Sequence, residues 1–180
     1  MFGFLRSWFM PAPPPHARDT YIALVAHARN PFFYTTLAVP DTLDGRFEVI
    51  VLHLFLLQWR LRDADPAFAR ALSEAFFNDM DASLRELGIA DTGVSHRIKA
   101  MGKAYHGRLQ AYTAGLTDGV ALRAALARNL YGTVAEGEVH LLDQAADYLT
   151  RMVAWIETVE FPVITGGALV WPPVTTPPSP

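Results

Sequence analysis

The chain has no cysteine in its 180 residues. That excludes disulfides, thiolate zinc sites, iron–sulfur ligation and a cysteine nucleophile. It leaves the redox compartment undecided, although a reducing one is compatible. Charge is also scarce, at 18% of residues, with 15 basic against 18 acidic side chains and a net charge of −3. The sequence pI of about 6.0 lacks the basic excess of a general nucleic-acid binder, so direct DNA binding is not expected. No long apolar run is present. The longest, Val49 to Leu57, is broken by His53, whereas a spanning helix needs about 20 apolar residues; this run reads as a core helix.

Proline is scarce in the interior. Of thirteen prolines, only Pro31, Pro40 and Pro66 fall within residues 16–161. A stretch so poor in proline and rich in Ala and Leu reads as helical. The expectation is an all-α, compact single domain of about six helices around a central buried helix, with irregular proline-rich ends. Its parts are an aromatic segment and linker over 1–18, a helical domain over 19–161 and a tail over 162–180. The first ten residues are too short and aromatic for a signal peptide and lack the arginines of a mitochondrial transit peptide. Phe2, Leu5, Trp8 and Phe9 recur at helical spacing. They either fold back on the domain or form an interfacial anchor at a membrane surface.

The inner prolines punctuate the helices. Pro31 stops a first helix that starts near Asp19, and a linking segment from Phe32 to Val39 follows. Asp41 or Thr42 caps a second helix, which runs to about Asp63 and is apolar on nearly every side. Asp65-Pro66 starts a third helix that ends at Leu87 before Gly88; Leu72, Phe76, Met80, Leu84 and Leu87 share one face. A fourth begins near Asp91, with a core stripe of Val94, Ile98, Met101, Tyr105, Tyr112 and Leu116. A fifth covers about 119–131. The sixth covers about 138–159, with Leu142, Ala146, Leu149, Met152, Ile156 and Val159 inward.

Few constellations suggest chemistry. Glu136 and His140 lack the second copy that a di-iron bundle needs. Asp79 and Asp81 are two apart on a helix, so they point away from each other and read as separate structural carboxylates. His53, alone on an apolar helix, reads as a hydrogen-bonded core residue or a buried base. His96, Lys99, Lys103 and His106 form a basic stripe, with Asp79, Asp81, Glu86 and Asp91 as its expected charge partners. Asp41, Asp44 and Arg46 cluster at the mouth of the second helix, close in sequence to Arg29, Asn30 and Tyr34. Asp41 and Asp44 suit the helix dipole there, and Arg29 with Asn30 could bind carbonyls or a carboxylate.

At these same residues the sequence resembles the ubiquinol–cytochrome c chaperone family. The stretches are Arg29-Asn30-Pro31-Phe32-Phe33-Tyr34, Val39 through Phe47, Leu52-His53, Asp79-Met80-Asp81, Leu84 through Gly88, Lys99 with Met101, and Gly107-Arg108. They span roughly residues 20–130, and their order and spacing carry the likeness. The resemblance implies a non-enzymatic assembly factor for the cytochrome bc1 complex, respiratory complex III. Such a factor holds newly made cytochrome b, near the translating ribosome and with a small partner protein. The implied setting is a bacterial cytoplasm, peripheral at the inner membrane. Client-contacting residues are then expected among Arg29, Asn30, Tyr34, Asp41, Asp44, Arg46, Asp79, Asp81, Arg85, Lys99 and Arg108, with no catalytic residue, metal or cofactor. Two other readings stay open. One is a small-molecule enzyme or carrier near the buried helix 43–62, using His53 with Asp41 or Asp79. The other is a structural subunit of a membrane complex.

Overall fold

Thr42 starts the helix around which everything else packs. Its extended backbone puts the hydroxyl where it accepts a hydrogen bond from Gly45 N–H at 3.1 Å, satisfying one of the unpaired amides of a first turn. The computed structural model describes residues 14–132 and 139–174. It is all-helical there: α1 (Ala17–Ala28), α2 (Phe32–Thr35), α3 (Leu43–Leu61), α4 (Pro66–Glu86), α5 (Asp91–Gly115), α6 (Gly119–Leu126), α7 (Val139–Thr158) and α8 (Phe161–Thr165).

Helix α3 is the buried centre expected from its composition. Val49, Leu54, Leu56, Leu57 and Leu61 are fully enclosed, and α1, α4, α5 and α7 all pack on it. The neighbours have one apolar side each, which they turn inward. On α4 these are Leu72 and Phe76, on α5 Val94, Tyr105 and Tyr112, and on α7 Leu149, Met152 and Ile156. Asp65 caps α4 by accepting from Phe68 N–H at 2.9 Å. Gly88, with φ of 77°, closes it in the left-handed conformation that glycine adopts without steric cost.

Three expectations need correction. The linking segment after Pro31 contains a helical turn, α2, because the Asn30 side chain accepts from Phe32 N–H at 3.0 Å and so caps it. The fifth expected helix changes pitch. Its α-helical part ends at Leu126 and a π-helical turn, Ala127–Tyr131, continues it. The domain also does not stop at residue 161. Pro162 sits in the first turn of α8, where a missing N–H removes no helical bond. Ile164 and Leu169 are buried, and the Ile164 carbonyl accepts from Thr20 Oγ1 at 2.7 Å. Beyond the Gly166-Gly167 turn the chain returns over α1, where Trp171 stacks on His27 with ring centroids 4.9 Å apart. Enclosing Ile164 alone is worth about 2 kcal/mol. Phe2, Leu5, Trp8 and Phe9 lie outside the described residues. Among the described residues, no helix is long and apolar enough to cross a membrane.

Candidate functional site

The turn from Pro31 to Gly45 builds one wall of a groove. Tyr34 donates its hydroxyl to the Ala28 carbonyl at 3.0 Å, which ties α2 to the end of α1. Gly45 lets the chain before α3 lie against the helix. A Cβ there would stand 1.9 Å from the Pro40 carbonyl oxygen. Gly45→Ala therefore forces the turn off its helix, and we expect a loss of about 2–3 kcal/mol in chemical denaturation. A stability within about 0.5 kcal/mol of the parent would mean that Pro40 moves freely.

The groove holds about 1130 Å³ and runs from the end of α1 across the start of α3 to α4, α5 and the π-helical turn. Its apolar lining includes Val25, Phe47, Ile50, Met80, Leu84, Met101 and Leu130. At its edge Leu43 and Leu87 are 66% and 61% exposed. The sequence pattern puts Leu87 on one face with Leu72, Phe76, Met80 and Leu84, but the structure separates their burial. Leu87 lies at the C-cap of α4, where the core-facing neighbour is Leu84, so the last apolar side chain lines the groove instead.

Seven of the expected contact residues line the groove: Arg29, Tyr34, Asp41, Asp44, Arg46, Asp79 and Arg108. Arg46 Nε donates to Asp41 at 2.7 Å. That bond is the largest influence on the Asp41 carboxyl and holds it below its ordinary range. Asp79 accepts the Tyr21 hydroxyl at 2.7 Å. Burial first, then this carboxylate, pushes the Tyr21 phenol far above its usual range.

The other four residues do not reach the groove lining. Asn30 is spent on capping α2. Asp81 pairs with Arg85, which also binds Asp91; Asp79 and Asp81 thus serve separate partners, as their spacing requires. The expected pairing of these carboxylates with the α5 stripe is wrong, because Arg85 on α4 takes two of them. Lys99 is exposed on the far side of α5.

Two features escaped sequence reasoning. Glu48, only 5% exposed on the apolar α3, receives both Nε, at 2.6 Å, and Nη2 of Arg108. Burial is the largest influence on Glu48 and pushes its carboxyl up, against the pull of Arg108. Burial also opposes the Arg108 charge, but the Glu48 hydrogen bonds and charge outweigh it and raise the guanidinium. A lone glutamate in an apolar run was the only available signal. The second feature is the π-helical turn, which presents Asn129, Leu130 and Tyr131 to the groove; such turns often mark functional positions.

His53 stands elsewhere. Its Nδ1 lies 2.7 Å from the Val49 carbonyl and its Nε2 lies 2.6 Å from Tyr148 Oη. His27 Nε2 approaches the same hydroxyl at 3.2 Å. Phe33 and Trp171 pack edge-on against the His53 ring. Burial lowers His53 to about 3, helped by the nearby His27, while the Val49 carbonyl opposes. Burial alone lowers His27 to about 4. His53 is therefore the hydrogen-bonded core histidine, bonded to neither Asp41 nor Asp79 and absent from the groove lining.

Comparison with known proteins places this architecture. The chain is similar to ubiquinol-cytochrome-c reductase complex assembly factor 1 of Xenopus laevis. They are 23% identical over 147 residues, covering 79% of this chain and 73% of the relative. It is also similar to the crystal structure of the Cbp3 homolog from Brucella abortus. That likeness has 34% identity and a TM-score of 0.77, and covers 94% of each chain. Residues 35–171 match the family described as ubiquinol-cytochrome C chaperone, a match that takes in α3, the groove lining from Thr35 onward and the packed segment after α7. The chain therefore belongs to the ubiquinol–cytochrome c chaperone family, the assembly factors of complex III.

Proposed function

We propose that this protein is a non-enzymatic chaperone that shelters an apolar segment of newly made cytochrome b in the groove while the bc1 complex is assembled. It works in the cytoplasm, peripheral at the inner membrane. The observation that carries the reading is the groove itself, which combines an apolar lining, two methionines, the exposed Leu43 and Leu87, and charges at Asp41, Asp44, Arg46 and Asp79. An amphipathic or apolar helix docks in such a groove by burying one face, and methionine adapts to side chains of varied shape. Flanking charges fix orientation more than they add affinity. His53, enclosed and bonded to Tyr148, gives the enzyme reading no support.

The test is capture of the client during its synthesis. Wild-type protein should crosslink to cytochrome b and be absent from the mature complex. Leu43→Asp with Leu87→Asp should reduce capture at least tenfold. Both side chains are largely exposed, so each change should alter stability by only about 0.5 kcal/mol. Undiminished crosslinking in a folded double variant would remove the groove from the reaction. Arg46→Ala should likewise weaken capture while thermal unfolding stays within about 2 °C. A larger drop would assign Arg46 a structural task. Stoichiometric retention in the mature complex would instead mark a structural subunit.

A further inference from the structure

The outer face of α5 has a charge pattern that the groove does not use. Residues 92–117 contain no Asp or Glu, in a chain whose net charge is −3. Both lysines of the sequence, Lys99 and Lys103, fall in this stretch. They lie on one exposed face with His96 and His106; Arg97 is exposed too, but helical spacing turns it toward the flank of Ala100 and Ala104. None of these five makes an ion pair with a described residue. The opposite flank of the same helix lines the groove through Ala100, Met101 and Ala104.

We infer that this face is a docking surface for an anionic lipid bilayer. An α-helix of 25 residues is about 37 Å long, so its lysines and histidines can meet a flat, negatively charged sheet together. The chemistry favours headgroups over RNA. Lysine is a compact, freely rotating point charge suited to a diffuse negative surface, whereas the planar fork of arginine suits fixed phosphate geometry. RNA readers also stack bases on accessible aromatics, and Tyr105, between the lysines and His106 on this helix, is 1% exposed. Lying along the bilayer, α5 would hold the groove beside the surface from which an apolar client segment must be kept or delivered. The inference goes beyond the client reading and does not depend on it.

The test is flotation of the full chain with lipid vesicles at low and at physiological salt. We expect binding to mixed phosphatidylcholine–phosphatidylglycerol vesicles, weakening as salt rises, and none to phosphatidylcholine alone. Lys99→Gln with Lys103→Gln should lower partitioning roughly 25-fold, about fivefold per lysine. Its thermal unfolding should not change, because both side chains are exposed and unpaired with described residues. Equal binding of parent and variant would overturn the inference, as would equal binding to both kinds of vesicle. Lysine-dependent binding to single-stranded RNA without vesicle binding would overturn it in favour of a nucleic-acid surface. Client capture in detergent extract is read separately, so either reading can fail alone.

Discussion

Arg108→Ala is expected to destabilise the protein by about 3 kcal/mol, read as a shift of the urea midpoint. The cause lies in what is left behind. Glu48 is 5% exposed and relies on the two Arg108 contacts from α5. Without the guanidinium, a buried carboxylate must either stay charged without a counterion or take up a proton. Removing both partners should cost much less, since an apolar pair of similar volume avoids the desolvation penalty altogether. Glu48→Leu with Arg108→Met should thus recover most of the loss. A single variant that loses less than about 1 kcal/mol would mean that water reaches Glu48 when the arginine is gone. The pair also lines the groove, so Arg108→Ala should lower client capture alongside stability, whereas Leu43→Asp lowers capture alone.

A second large effect is expected with acid. His27 and His53 share the Tyr148 hydroxyl in a buried aromatic cluster, and burial holds them down to about 4 and about 3 from the ordinary 6.5. In the unfolded chain both titrate near the ordinary value. Between about pH 6.5 and the depressed values, the unfolded state therefore binds more protons than the folded one. Stability is full above that window and falls as the pH drops through it. At pH 5 the His53 contribution amounts to a loss of about 2 kcal/mol relative to pH 7. The partly accessible His27 adds a smaller amount. Urea unfolding at pH 7 and pH 5 measures it. The variant His53→Gln should be less stable at pH 7 but change less between the two values. Equal stability of the parent at both pH values would show that the rings are already hydrated in the folded protein. Trp171 stacks on His27, so acid should first release the segment after α8, seen as a change in tryptophan fluorescence.

Much of the helical frame was legible because its signals are local. Pro31 and Pro66, the Thr42 and Asp65 caps and Gly88 each act within one turn of the chain. The apolar run from Val49 to Leu57 likewise announces a helix buried on all sides. The same local logic misjudged the end of the chain. A proline pair and a glycine pair read as a tail, yet Leu169 is buried, and Ile164 and Trp171 find partners on α1 that lie about 140 residues earlier.

Membership in the chaperone family was visible in the order of short stretches, above all Val39 through Phe47 and Asp79 through Gly88. The fold shows what those residues do. Gly45 is small because Pro40 presses on it, Asp41 and Arg46 hold each other across the turn, and Asp79 anchors Tyr21. Asn30 and Arg85, equally prominent in the sequence, serve a cap and a surface charge network away from the groove lining. The candidate site was therefore half legible. Which residues carry the family likeness is written locally, but whether they face a groove depends on contacts between distant helices.

The sequence by itself determined the helical class, most helix boundaries, the buried centre and the chaperone family, because propensity, capping and hydrophobic periodicity act over one to five residues. Only the tertiary structure decided the rest. It paired Glu48 with Arg108 across 60 positions, joined His27 and His53 through Tyr148, and left Leu87 at the edge of a groove rather than in the core. These outcomes depend on which helix faces cover one another, and burial and charge pairing reward that covering only after the chain has folded.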